Sequence, residues 1–349
     1  MTHHDIPSFF DPKNAELWDY RLDDKTVRAE AQKWRARGNL APATDASKQV
    51  YLLIIDAQKD FCLPQGALYV GGRSGRGSVD DSSRIAQFMY ANAGHISKII
   101  PSFDSHDKPP KAFHIFSPPF WETSSGGAVA PHTDMTVEDL VSGRYRVTDA
   151  ALSALGVTRE WLTAYVCHYA KVLKENGRQP LHIWPYHCIV GTEGHQLMGV
   201  IEEAMMFLSL LHQVSICPVY KGQEMLFESY SIFGGEVLTT HHGKVLGQKD
   251  TRRMRECLAA YRLIIVGEAA SHCVKATIED LIKETRGNRA LADKIYVVED
   301  CMSAVTVPDG HGGFYADYTQ EVRETFKYFA SLGIHVVKST DPIESWPSF

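Results

Sequence analysis

The sequence predicts an α/β fold: three α/β/α layers around a mostly parallel, Rossmann-like central sheet. Two observations lead there. The runs Val50-Tyr51-Leu52-Leu53-Ile54-Ile55 and Arg262-Leu263-Ile264-Ile265-Val266 are apolar and β-branched without alternation, as strands buried on both faces are. Segments of helical period stand between such runs; after Cys273, for example, Val274, Ile278, Leu281 and Ile282 share one face. Strands that alternate with helices form βαβ units and so a parallel sheet.

In chain order, residues 1–47 read as an N-terminal extension. It has a helical stretch over Ala15–Arg37 and a linker at Gly38–Thr44, and is expected to pack on the main body or on a neighbouring subunit. Residues 48–349 form the main domain. Its first strand runs from Val50 to a carboxylate, Asp56. A helix over Asp80–Gly94 leads to a strand, Ile96–Phe103, that ends at Asp104 and His106. Residues 118–178 are too long for an ordinary connection. They hold a Gly/Ser/Pro-rich part, Thr123–Pro131, and a helical part, Thr158–Asn176, and are expected to cover the pocket or contribute to it from a neighbouring subunit. The alternation then resumes with strands at Leu181–Trp184, Ser215–Tyr220, Arg262–Val266, Lys294–Glu299 and Ile334–Lys338. Helices are expected at Gly194–His212, Lys249–Tyr261, Cys273–Glu284 and Ala316–Leu332.

Composition narrows the function. The chain has 349 residues, 44% hydrophobic and 22% charged, ordinary for a globular protein. A net charge of −6 without a basic cluster argues against nucleic-acid binding. No apolar run is long enough for a membrane span, and Met1-Thr2-His3-His4-Asp5 lacks the apolar core of a signal peptide. Seven cysteines, odd in number and without paired spacing, suit reduced thiols in a cytoplasm.

Asp56, Lys221 and Cys273 fall at the carboxyl ends of three predicted strands, where α/β sheets bind ligands. Any one of them alone reads as a surface, capping or small core residue; three at one sheet edge is a far rarer coincidence. Such a set can hydrolyse an amide through a thioester: the carboxylate takes the thiol proton, the thiolate attacks the carbonyl, and the acid returns the proton to the leaving amine. Cys273 at a helix N-terminus beside Lys221 is expected to have a thiol pKa below the usual value of about 8.5. Asp104, His106, His114 and His187 make an N/O-rich set suited to zinc, iron or manganese. His132, His168, His182, His195, His212, His241 and His242 read as surface or core residues.

These stretches carry a resemblance. Asp56-Ala57-Gln58-Lys59-Asp60-Phe61 resembles the D-x-Q-x-D-F opening of nicotinamidases, within the isochorismatase-like cysteine hydrolase superfamily. Ser102-Phe103-Asp104-Ser105-His106 is similar to the S-x-D-x-H metal motif of that family, and His114-Ile115-Phe116-Ser117 to its H-x-S-F segment. Trp184-Pro185-Tyr186-His187-Cys188-Ile189-Val190-Gly191-Thr192-Glu193-Gly194 resembles W-P-x-H-C-x-x-G-T-x-G, and Lys221-Gly222 with Tyr230-Ser231-Ile232-Phe233 resembles K-G…Y-S-x-F. Gly267–Thr277 is similar to the nucleophile turn.

The resemblance implies an isochorismatase-like hydrolase fold and a cysteine amidase that converts nicotinamide, or a similar small aromatic amide, to the acid and ammonia. Asp56 would be the base, Lys221 the catalytic lysine and Cys273 the nucleophile. The amides of Ala269 and Cys273 would form the oxyanion hole, with the Glu268–Ala269 peptide cis. Asp104, His106, His114 and His187 would hold a divalent metal, zinc first and iron or manganese next. Phe61, Trp184 and Tyr230 would line the ring pocket, with core packing the competing reading for Phe61 and Trp184. A role in NAD salvage and a cytoplasmic homo-oligomer are expected. The rivals are the same chemistry on a carbamoyl or ureido compound, and a non-catalytic ligand-binding member. The departures are Ala269-Ala270-Ser271-His272-Cys273 in place of A-T-D-x-C, the added Lys108-Pro109-Pro110-Lys111, an inverted Phe116-Ser117 order, the N-terminal extension and the 118–178 insertion.

Overall fold

The computed structural model describes residues 6–37, 48–108 and 113–349. The expected Gly38–Thr44 linker and most of Lys108–Lys111 lie outside them. Seven strands build the central sheet: β1 (Val50–Ile55), β2 (Ile96–Asp104), β3 (Ser215–Ile216), β4 (Val219–Lys221), β5 (Arg262–Gly267), β6 (Ile295–Val298) and β7 (His335–Val337). Their spatial order is β7-β6-β5-β1-β2, with β3 and β4 both paired to β2, and every pairing is parallel. The chain thus builds outward from β1 in both directions, and a crevice opens where β1 ends between β2 and β5.

The main helices are α1 (Asp24–Ala36), α2 (Gly77–Ala91), α3 (Arg159–Glu175), α4 (Gly199–His212), α5 (Thr251–Ala259), α6 (Cys273–Thr285) and α7 (Thr319–Ser331). Alternate strand residues feed opposite faces, because side chains of a strand point up and down in turn. Leu52, Ile54, Ile264, Val266, Tyr296 and Val298 pack with α1, α2 and α4. Leu53, Ile55, Leu263, Ile265, Ile295 and Val297 pack with α5, α6 and α7. That is the expected three-layer architecture. A third apolar cluster, including Trp121, Tyr165, Tyr169 and Ile183, belongs to the insertion and its flanks.

Several elements differ from expectation. The N-terminal helical stretch is divided into a 3-10 turn, Pro12–Glu16, and α1, because Asp23 caps α1 by accepting from the Lys25 amide. Trp34 of α1 then packs edge-on against Phe207 of α4, so the extension lies on the main body. Leu181–Ile183 is a strand, but it pairs antiparallel with Thr133–Met135 rather than joining the central sheet; Leu181 and Ile183 are committed to the insertion's core. Ser215–Tyr220 is broken into β3 and β4 by Pro218, which has no N–H for the ladder. A hairpin, Thr306–Pro308 with Phe314–Asp317, precedes α7, so that helix starts at Thr319 instead of Ala316.

Candidate active site

β1, β2, β4 and β5 end side by side, and each delivers a polar side chain to the crevice. Asp56 follows β1 with a φ of 45°, is fully buried, and receives a 2.6 Å hydrogen bond from the Ser102 hydroxyl on β2. Two residues on, Gln58 clamps Asp104 at the end of β2: its Oε1 accepts from the Asp104 amide at 2.7 Å and its Nε2 donates to the Asp104 carbonyl at 2.9 Å. Asp60 accepts from the amides of Cys188 (2.7 Å) and Ala67 (3.0 Å). The D-x-Q-x-D-F stretch therefore ties three chain segments together, with Asp56 left facing the crevice.

Lys221 ends β4 in register with Asp104. Its Nζ lies 3.0 Å from Asp56 Oδ2, 3.1 Å from Asp104 Oδ1 and 3.7 Å from Cys273 Sγ. Gly222 follows with a φ of +81°; a Cβ there would stand 2.4 Å from Asp104 Oδ1 and 2.7 Å from the His106 ring. Only glycine allows the lysine strand to pass so close to both groups. Cys273 opens α6, just past β5 and the cis Glu268–Ala269 peptide. No described residue accepts from the Ala269 or Cys273 amide, which leaves both donors free for an oxyanion.

The electrostatics correct one expectation. Burial pushes the Cys273 thiol well above its ordinary pKa; the Lys221 charge opposes this, while Asp56 and Asp104 reinforce it. Desolvation and the two carboxylates outweigh the lysine. Burial also raises the Asp56 carboxyl, against the pull of Lys221. Lys221 itself loses to burial but gains more from Asp104 and Asp56, and stays charged. Such a set can carry a proton from thiol to carboxylate when a carbonyl arrives. Cys188 and Cys62 are fully buried, and burial raises both thiols.

Asp104, His106 and His187 offer ligand atoms within 4.8 Å of one another, a buried group able to hold a metal ion. Asp104 Oδ2 is 3.0 Å from His106 Nε2 and 3.1 Å from His187 Nε2. Burial would raise the Asp104 carboxyl, but His106 and Lys221 hold it well below the usual carboxylate range. Each ring is anchored through Nδ1 to a backbone carbonyl: His106 to Gly222 (2.8 Å), His187 to Pro185 (2.7 Å) and His114 to Glu224 (3.2 Å). That anchoring presents Nε2 as the ligand atom, the usual arrangement in metal sites. His114 stands outside the compact group, yet its Nε2 is buried without a partner among the described residues, and its ring is 4.9 Å from that of His106. Burial holds the His114 ring neutral, with its pKa down to about 4. The donor set fits a divalent ion.

Phe61, Trp184 and Tyr230 line one cavity together with Cys273, Ala269, Asp104 and His187. Glu228 and His272 line it as well and had no assigned role; both stand inside or beside quoted motifs, which was the available signal. A second cavity shares Glu228, Tyr230 and His272 with the first. None of the residues lining the Cys273 cavity comes from 118–178. The insertion instead supplies Tyr169, Leu173, Gly177 and Arg178 to the second cavity, and His132 to a third beside Leu68, Val70 and Val305.

No protein-family model matches the chain. Over 198 residues it is 26% identical to a nicotinamidase of Escherichia coli strain K12, a match covering 52% of this chain and 78% of that protein. Among solved structures it is similar to an Acinetobacter baumanii nicotinamidase/pyrazinamidase, with a TM-score of 0.47 and 17% identity over 84% of this chain and 98% of that one. The yeast nicotinamidase bound to nicotinaldehyde gives 0.47 and 18% over 83% and 100% of the two chains. A Pyrococcus horikoshii pyrazinamidase in complex with zinc gives 0.43 and 17% over 83% and 99%. With TM-scores below 0.5, these structural likenesses are similarities only. Among the described residues, no helix is long and apolar enough to cross a membrane.

Proposed function

Sequence similarity to a nicotinamidase supports a place for this chain in the nicotinamidase/isochorismatase-like superfamily, and on that premise we propose that it is a cysteine amidase acting on nicotinamide. The observation that carries the reading is the contact of Lys221 with the Cys273 sulfur at 3.7 Å, with Asp56 beside Lys221 and the Asp104–His106–His187 group next to them; Cys273, Asp104 and His187 line one cavity.

Asp56 accepts the Cys273 proton as the sulfur attacks the amide carbon. The oxygen that becomes negative is held by the Ala269 and Cys273 amides. Collapse of the tetrahedral intermediate breaks the C–N bond; Asp56 returns the proton to nitrogen, and ammonia leaves a thioester on Cys273. Water then attacks the thioester, giving its proton to Asp56, and nicotinate departs as the thiol is restored. Lys221 stays protonated and offsets the negative charge passing between Asp56 and sulfur. Phe61, Trp184 and Tyr230 hold the ring. Asp104, His106 and His187, with His114 next to them, would hold a divalent ion, zinc by the donor set; when bound, it supplies a Lewis-acidic anchor for a ring nitrogen. The product acid belongs to NAD salvage, in keeping with a cytoplasmic enzyme that assembles as a homo-oligomer.

The test is ammonia release from nicotinamide and from benzamide, with and without chelator. Nicotinamide should be the better substrate, and chelation should raise its KM strongly; benzamide, lacking the ring nitrogen, should be poor either way. Equal activity on both would sink the nicotinamide assignment, while an aliphatic amide turned over as well by metal-free protein would favour a different small amide.

A further inference from the structure

The two residues before the nucleophile, Ser271 and His272, form a hydrogen-bond chain that the reaction above does not use. The Val305 amide donates to Ser271 Oγ at 3.0 Å, and Ser271 Oγ lies 2.8 Å from His272 Nδ1. Among the described residues the Ser271 hydroxyl proton has no other acceptor, so it donates to Nδ1. Nδ1 is then the acceptor, and the ring proton sits on Nε2. Among the described residues, the His272 side chain is hydrogen-bonded through Nδ1 alone. The ring is also fixed in place: Trp184, Tyr230 and Tyr318 meet it edge-on, with centroids 5.4, 5.4 and 5.0 Å away. Burial, helped by the nearby His182 and Lys275, lowers its pKa to about 3, so it carries no charge at neutral pH. His272 lines both the Cys273 cavity and the neighbouring one, so it stands at the wall the two share.

We infer that His272 determines specificity: its Nε2–H donates to a hydroxyl or oxo oxygen on the ring of the bound amide, so the preferred substrates are oxygenated pyridine carboxamides rather than the bare ring. This rests on the amidase reading of the same cavity. It differs from that reading in the atom recognised, because the oxygen is separate from the ring nitrogen that faces Asp104, His106 and His187. A rigid, uncharged donor in a largely apolar wall is satisfied by an acceptor and left unpaired by a methyl group of similar size.

The experiment compares nicotinamides carrying a hydroxyl or oxo group at each open ring position with their methyl counterparts, using the full chain loaded with zinc. At one position oxygen should be favoured over methyl by about tenfold or more in kcat/KM, with the difference carried by KM. His272→Phe should bring that ratio to about one or reverse it, whereas His272→Gln, which keeps a donor, should retain part of it. Thermal melting of each variant separates loss of fold from loss of discrimination. If wild type turns over nicotinamide but favours oxygen at no position, or if His272→Phe keeps the wild-type ratio, the inference is overturned and the amidase reading stands. If no pyridine carboxamide releases ammonia, both fall.

Discussion

Lys221 and Arg178 are both cations among carboxylates, Lys221 buried beside the Cys273 sulfur and Arg178 half-buried in the wall of the second cavity. Lys221 faces Asp56 and Asp104 at 3.0 and 3.1 Å and still reaches a thiol. Arg178 faces Glu236 at 3.1 Å, Asp280 at 3.7 Å and Glu279, and no nucleophile. The ammonium is a compact charge that can serve a carboxylate and a sulfur together. The guanidinium is a planar fork that fastens the insertion's end to α6, which carries Glu279 and Asp280. Burial and charge pairing alone therefore do not mark a reactive centre; the company of a group able to attack does.

That contrast can be broken by mutation. The largest effect belongs to the thiol: Cys273→Ala should lower ammonia release by about four orders of magnitude or more. Electrophile trapping followed by mass spectrometry should place the adduct on Cys273; an adduct on Cys188 would overturn the assignment. Lys221→Met should lower kcat about 10²- to 10³-fold and cost about 3–5 kcal/mol of stability, since Asp56 and Asp104 lose their shared cation. Unaltered turnover in that variant would make Lys221 a structural residue like Arg178. For Arg178→Met the two readouts should part company. Denaturation should show a loss of about 3–5 kcal/mol, while the kcat of folded protein stays within about threefold of wild type.

The smallest effect concerns carboxyls buried together with a cation only at their edge. Asp81 and Glu268 are buried close enough to shift each other's charge, and Arg84 reaches Asp81 at 3.3 Å. Burial raises Asp81 to about 6. Folding therefore takes up a proton between the unfolded value near 4 and the folded value near 6, so this group's contribution falls as pH rises through that window, by up to about 3 kcal/mol. Asp81→Asn cannot titrate. Its stability relative to wild type should improve from pH 4 to pH 7 in denaturant titrations, and a flat difference would refute the account.

The layered fold was legible because β1 and β5 are continuous apolar runs and α6 keeps a clean helical stripe. The positions of Asp56 and Cys273 past strand ends followed from those same runs, and that of Lys221 from the shorter run Ser215–Tyr220. The three-residue strands of the insertion were not legible, since three residues display no period, and Leu181–Ile183 looked like one more buried strand. The thiol's direction of shift was misread because a helix N-terminus and a lysine are visible in sequence, whereas the depth of burial and the closeness of Asp104 are not. His272 went without a role for a similar reason: a histidine next to a nucleophile looks like spacer until Ser271 and Val305 fix its tautomer.

The break at Pro218 bears on how copies of this chain can meet. Sheets left open at the side invite lateral growth, strand upon strand, between molecules. Here the rim beyond β2 offers only two short pieces separated by an imino acid, too brief and too irregular to template an incoming strand. Association through this rim is disfavoured.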